Sequence, residues 1–268
     1  MKKVIFITGA SRGMGKTTGE FLVKRGYTVY GTARNPGKYA GHPFPLIKMD
    51  LEDEKSISAA IKEVAGKEGK IDVLINNAGR GMMGPLEETP PEIMQQVFQT
   101  NVFGPVEVIR QVLPYMRRQK KGLIINISSV AGFLGLPFRG PYSASKAAVM
   151  IISETLRYEL YGSGIEVTDV CPGDIATGIA EHRVYVPVSS GSPYYAEYHR
   201  IIKETDAEVD KGLPPEAVAR KIVEIIEKKH PRPQYRVAPF TQKILPVIKA
   251  LLPASWFEAI IRKHYKIK

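Results

Sequence analysis

A single cysteine, Cys171, stands among 268 residues, so the chain has no means of forming an intramolecular disulfide. That scarcity fits a reducing compartment and excludes the small disulfide-stapled class; Cys171 itself reads as a small buried residue at a strand end. No stretch approaches the ~18 consecutive apolar residues of a membrane span. Lys2 and Lys3 precede an apolar run, but Val4 to Ile7 is too short for the core of a signal peptide and meets a glycine-rich loop at once. A cytoplasmic protein is expected, with at most a peripheral membrane contact. Repeats and low-complexity linkers are lacking too, so residues 1–268 are expected to form one domain. The net charge of +11 lacks the organisation of a nucleic-acid site. No expected helix carries a basic stripe interleaved with aromatics. The clusters Lys120-Lys121, Lys228-Lys229 and Arg262-Lys263-His264 fall at element ends and read as solvated surface.

What is present is an alternation of short β-branched runs with longer helical periodicities. Val4–Thr8, Thr28–Gly31, Leu46–Met49, Val73–Ile75, Leu123–Ile127, Glu166–Val170 and Tyr235–Val237 read as strands. The strongest are nearly continuous apolar runs, as strands buried on both faces of a parallel sheet require. Lys16–Lys24, Lys55–Ala65, Ile93–Met116, Ala144–Leu160 and Pro215–Lys228 read as helices; Pro105 is expected to distort the third, and Pro114 to bend or end it. The alternation predicts an α/β fold with one doubly wound parallel sheet. Two stretches interrupt it. Residues 178–212 hold Tyr185, Tyr194, Tyr195 and Tyr198 among Pro, Ser and Gly, and are expected to form a lid over a substrate. Residues 240–268 form an apolar and basic tail, expected to pack on the body or another subunit, with a membrane surface as the alternative.

Three groups of residues carry chemistry. Thr8-Gly9-Ala10-Ser11-Arg12-Gly13-Met14-Gly15 links the first strand to a helix, where glycines allow close approach of a pyrophosphate to the helix amino terminus. Ala10 to Thr17 also nearly spells a P-loop, with alanine in place of the first glycine. A nucleotide hydrolase would further need a strong strand ending in a magnesium-holding Asp, and Val73–Ile75 runs into Asn76-Asn77 instead. Tyr142 and Lys146 are spaced to share one helix face, where the ammonium is expected to lower the phenol pKa towards that of a working acid/base catalyst. Ser129, thirteen residues before Tyr142, can donate to the same carbonyl oxygen; Ser128 is the alternative, one position further away.

Together with Asp50-Leu51, Asn76-Asn77-Ala78-Gly79, Asn101 and Pro172-Gly173 with Thr177, these motifs resemble the short-chain dehydrogenase/reductase family over essentially the whole chain. The resemblance implies a Rossmann-type sheet of about seven strands in the order 3-2-1-4-5-6-7 and a bound nicotinamide dinucleotide. It places the dinucleotide on Gly9, Ser11, Arg12, Gly13, Met14 and Gly15, with Asp50 and Leu51 at the adenine and Asn76, Asn77, Ala78 and Gly79 along the adenosine. Pro172, Gly173 and Thr177 would flank the nicotinamide. Tyr142 would be the acid/base, Lys146 would hold the nicotinamide ribose and acidify Tyr142, and Ser129 would polarise the carbonyl. Asn101 would position a water in the proton relay.

The charge pattern then indicates which dinucleotide. Tyr30-Gly31-Thr32-Ala33-Arg34 ends without the carboxylate that accepts from a ribose 2′-hydroxyl, and Arg34 with Arg12 and Ser11 suits a 2′-phosphate, so NADP(H) is expected. Val29 to Arg34 and the extended tail resemble the branch containing 17β-hydroxysteroid and retinol dehydrogenases. Phe133, Leu134, Leu136 and Phe138 are compatible with a hydrophobic carbonyl substrate or with plain loop packing. The family resemblance further implies a homodimer or homotetramer through Ile93–Met116 and Ala144–Leu160. The readings from other classes are a redox-inactive NADP-binding scaffold and a peripheral membrane protein on the same fold, with nucleotide hydrolysis more remote.

Overall fold

The computed structural model describes residues 2–176 and 183–267. In chain order these form β1 (Val4–Ile7), α1 (Gly13–Lys24), β2 (Thr28–Ala33), β3 (Leu46–Lys48), α2 (Glu54–Glu68), β4 (Val73–Asn76), β5 (Met82–Met83) and α3 (Pro91–Phe98). There follow α4 (Gly104–Gln119), β6 (Gly122–Ile127), α5 (Gly140–Glu159), β7 (Ile165–Pro172), β8 (Val184–Tyr185), α6 (Tyr195–Asp210), α7 (Pro215–Glu227), β9 (Gln234–Val237), α8 (Phe240–Leu251) and α9 (Ala254–His264).

Seven strands pair in parallel in the order β3-β2-β1-β4-β6-β7-β9, as expected; β5 and β8 form a separate parallel pair. Every residue of β1, β4 and β6 is buried, because helices cover both faces of the sheet. Alternate residues of β1 accordingly enter different cores. Val4 and Phe6 pack with the α2 residues Ile57, Ile61 and Val64 and the α4 residues Val108 and Val112. Ile5 and Ile7 pack with Leu22 of α1 and with Val218, Ile222 and Ile226 of α7. The strand order reverses between β1 and β4, which opens a crevice at their carboxyl ends.

The third expected helix is in fact two. A π turn, Gln99–Phe103, separates α3 from α4, and Asn101 lies in it. Pro105 occupies the first turn of α4, where a missing N–H costs little. Pro114 does not end α4, which continues to Gln119. The fourth expected helix starts earlier than Ala144, at Gly140, which brings Tyr142 into the first turn of α5.

The two irregular stretches have more order than their composition suggests. The described part of residues 178–212 contains β8 and the whole 16-residue α6, whose Tyr198 is 1% exposed and donates to the carbonyls of Met83 and Val186 at 2.8 and 3.0 Å. The tail folds as α8 and α9 and packs on the body through Leu245, Ile248, Phe257 and Ile261, against Val130, Phe133 and Leu134. Burying one aromatic such as Phe257 contributes roughly 1.5–3 kcal/mol, enough to hold a short helix in place. Among the described residues, no helix is long and apolar enough to cross a membrane.

Candidate active site

The crevice between β1 and β4 opens into a cleft of about 570 Å³, bordered by the loops after β1, β2, β3 and β4. Local sterics build it. Gly9 has φ +64°, and a Cβ there would lie 2.8 Å from that of Ala78. A Cβ on Gly15 would lie 2.5 Å from both Asn77 Nδ2 and Gly9 O. Gly13 also has positive φ, +53°. Gly9 and Gly15 therefore admit only glycine if the loop is to keep this path, and Gly13 is favoured by its positive φ. Thr8 and Asn77 tie the loop to the segment after β4. Thr8 Oγ1 accepts from the backbone N–H groups of Asn77 and Ala78, both at 3.0 Å, and Asn77 Nδ2 donates to the carbonyls of Thr8 and Gly9 at 3.0 Å.

The amino terminus of α1 faces this cleft with no side-chain cap and no acidic residue in its first turn, so its N–H groups and dipole remain available to an anion. The exposed Arg12 and Arg34 both border the cleft, as do Ser11, Met14, Asp50, Leu51, Ala78 and Gly79. Lys38 and Asn35, beyond the end of β2, line it as well and were missed in the sequence; a second base four residues past Arg34 was the available signal. The cleft thus fits a dinucleotide: a glycine cradle for phosphates, and three cations at the end of β2 and the helix start. Asn76 does not line it. That side chain is 3% exposed and donates to Asn126 Oδ1 at 2.9 Å, within the sheet.

Next to Gly79, on the border of the cleft, β6, the turn after it, α5 and the carboxyl end of β7 bring Ser129, Tyr142, Lys146 and Pro172 together. The Ser129 hydroxyl is near enough to the Tyr142 phenol to influence its pKa, and lies 3.4 Å from the Pro172 carbonyl. Ser128 is excluded as the alternative, because its hydroxyl is buried and donates to the Lys146 carbonyl at 2.8 Å. Lys146 Nζ donates to the Ile127 carbonyl at 2.9 Å and sits 6.0 Å from the centre of the Tyr142 ring. A Cβ on Gly79 would lie 3.3 Å from that ammonium, so glycine there keeps the approach to Lys146 open.

The electrostatics differ from the sequence expectation. Burial pushes the Tyr142 pKa up, and the opposing influences are the Ser129 hydrogen bond, then the charges of Arg139 and Arg183. The Lys146 ammonium donates to the Ile127 carbonyl, and burial lowers its own pKa to about 8. Arg139 and Arg183 come from segments with no motif, so nothing in the sequence marked them.

Asn101 lies in the π turn. Its Nδ2 donates to the Arg80 carbonyl at 2.9 Å and to Ser145 Oγ at 3.0 Å, while Oδ1 accepts from the Arg80 N–H at 2.7 Å. Both side-chain donors are engaged, and Oδ1 keeps a second lone pair. Ser145 Oγ in turn donates to the Tyr142 carbonyl at 2.7 Å, so Asn101 braces the first turn of α5. Gly173 is covered by Gln242 of α8, which also bonds Asp174. Thr177 lies outside the described residues. Cys171 is fully buried with its pKa raised to about 12, an inert thiol. Among the described residues, no cluster of His, Cys, Asp or Glu could hold a metal ion.

The short chain dehydrogenase family profile matches residues 3–184. This chain belongs to that family. It is therefore an oxidoreductase of the kind that uses a nicotinamide dinucleotide, NAD or NADP. It is 37% identical over 267 residues to a 3-ketodihydrosphingosine reductase of Bacteroides thetaiotaomicron, covering 99% of each chain. It is 35% identical over 278 residues to an NADPH-dependent 3-dehydrocapnine reductase of Ornithobacterium rhinotracheale, covering 97% of this chain and 96% of that one. A Burkholderia phymatum short chain dehydrogenase/reductase solved in complex with NAD superposes with a TM-score of 0.79 at 28% identity, over 92% of each chain.

Proposed function

We propose that this short-chain dehydrogenase uses NADPH to reduce the ketone of a long-chain, lipid-like substrate to an alcohol. The carrying observation is that Ser129, Tyr142 and Lys146 gather next to Gly79, on the border of a cleft that also presents Arg12, Arg34 and Lys38.

The nicotinamide supplies the hydride; the chain does the rest. Ser129 and Tyr142 converge on the ketone oxygen, where the serine hydroxyl polarises the carbonyl and the phenol gives up its proton as the alcohol forms. Arg139 and Arg183 stabilise the phenolate left behind. Lys146, held by Ile127, reaches past Gly79 to the ribose hydroxyls. Asn101 is a positioning residue that acts through Ser145 on the Tyr142 backbone. Arg12, Arg34 and Lys38 surround a 2′-phosphate, with no carboxylate at the end of β2 to repel it. Pro172 would adjoin the nicotinamide, and Gly173 and Thr177 are assigned to it by motif alone.

For the substrate, one relative is a 3-ketodihydrosphingosine reductase and the other a 3-dehydrocapnine reductase, and apolar side chains lie near Ser129 and Tyr142. Leu136, Phe138, Tyr185, Ile201 and Tyr265 form one cluster, with Phe133 and Leu134 in the next. A panel of carbonyls assayed by NADPH consumption tests the reading. A 3-keto sphingoid base should give the highest kcat/KM, above a steroid ketone, retinal and a sugar ketone. A small polar carbonyl at the top of that order would overturn it.

The exposed Phe103, Val106 and Ile151, on the π turn, α4 and α5, favour a homo-oligomer formed through those helices. Ile151→Glu should then reduce the mass measured by light scattering.

A further inference from the structure

The tail has two faces, and only one of them is used by the body. On α8, Leu245 and Ile248 point into the core beside Val130 and Phe133, Gln242 bonds Asp174, and Lys249 Nζ donates to the Phe133 carbonyl at 2.8 Å. On α9, Phe257, Ile261 and Tyr265, spaced by four, face inward. The outer face of α8 carries Phe240, Ile244, Val247 and Leu251, whose spacings of four, three and four put them in one row. Phe240 and Leu251 are 77% and 78% exposed. Trp256 and Ile260 continue the pattern on α9, with Trp256 65% exposed. Six large apolar side chains left in water on two consecutive helices are far from a scatter of single residues.

The charges beside these rows indicate what covers them. Between residues 240 and 268, Lys243, Lys249, Arg262, Lys263, Lys266 and Lys268 stand against one carboxylate, Glu258. Lys243, Arg262 and Lys263 make no ion pair among the described residues. A second copy of the chain would bring the same positive charge to the same face and be repelled. An anionic lipid surface would accept the apolar row and neutralise the flanking bases together.

We propose that the outer faces of α8 and α9 dock this protein on an anionic membrane surface, with Phe240, Leu251 and Trp256 as the inserted side chains. The inner faces of these helices touch the turn that follows Ser129 and the loop at Gly173 and Asp174, so docking holds the substrate end of the cleft at the lipid. Docking rests on the surface of the tail, whereas delivery of substrate rests on the lipid-ketone reading above.

Flotation of the full chain with phosphatidylcholine vesicles, with and without phosphatidylglycerol, tests this. The chain should float with the anionic vesicles and about tenfold less with the neutral ones. Phe240→Asp with Leu251→Asp should abolish flotation while leaving the mass in solution and the reduction of a water-soluble ketone unchanged. If that pair misfolds, Lys243→Glu with Lys263→Glu removes only exposed charge and should reduce flotation about tenfold. No flotation of the unaltered chain would overturn the proposal. So would a lower solution mass in either variant, which would mean that a second copy covers the face. Flotation without reduction of a vesicle-borne long-chain ketone would leave docking intact and remove the substrate reading.

Discussion

The dinucleotide half of this molecule and its substrate half are built by different physics. The first is a set of steric necessities: Gly9 and Gly15 have no room for a Cβ, β1 and β4 are buried on both faces, and Asn77 sews two neighbouring loops together. The second is assembled from α6, α8 and α9, which meet only through side chains far apart in the chain, such as Tyr198 to Met83 and Gln242 to Asp174. On the function proposed above, one half would bind the dinucleotide and the other would set which carbonyl is reduced. The lesson is that a substitution in the first half should alter cofactor use, and one in the second should alter substrate use.

The largest expected effect lies where the halves meet. Tyr142→Phe should lower kcat about a thousandfold while NADPH binding, followed by fluorescence, stays within about twofold. Substantial remaining activity would remove Tyr142 from its assigned role. Arg12→Ala with Arg34→Ala should raise the KM for NADPH by about ten- to a hundredfold and leave the NADH kinetics unchanged, since each guanidinium–phosphate contact is charge-assisted. An equal loss with both dinucleotides would place these arginines outside the 2′-phosphate site. Gln242→Ala, on the substrate side, should raise the ketone KM severalfold without moving that for NADPH. A parallel change in both would break the division between halves.

The smallest effect belongs to the sheet beneath both halves. Asp169 is 1% exposed and accepts from Ser153 Oγ at 2.6 Å, and burial raises its pKa from 3.8 to about 6. A carboxyl raised in the fold favours its protonated form. Its contribution to stability is therefore present in full below about pH 4 and lost as the pH rises through about 6. Asp169→Asn should flatten that part of the Tm–pH curve, and thermal unfolding between about pH 4 and 7 checks it. An unaltered slope would assign the titration to another group.

Legibility followed the same division. The strands, the glycine loop and the Ser129, Tyr142 and Lys146 spacing were readable, because each depends on residues near in sequence or on a periodicity; the strand order came from the family resemblance. The π turn at Asn101 was not: it arises where Gly104 packs against Leu51 with no space for a Cβ, a contact between distant segments. Asn76 showed the limit of a motif, since its place beside Asn77 says nothing about which of the two turns into the sheet. The 16-residue α6 was hidden by the Pro, Ser and Gly around it.

By itself the sequence determined the parallel doubly wound sheet, the phosphate cradle, the paired arginines and the Tyr142–Lys146 spacing, since backbone sterics and helical periodicity act over a few residues. Only the tertiary structure decided that burial raises the Tyr142 pKa, that Asn101 bonds Ser145 beneath α5, and which face of the tail is left in water. Those outcomes depend on solvent exclusion and on charges brought together from remote parts of the chain, which no local pattern encodes.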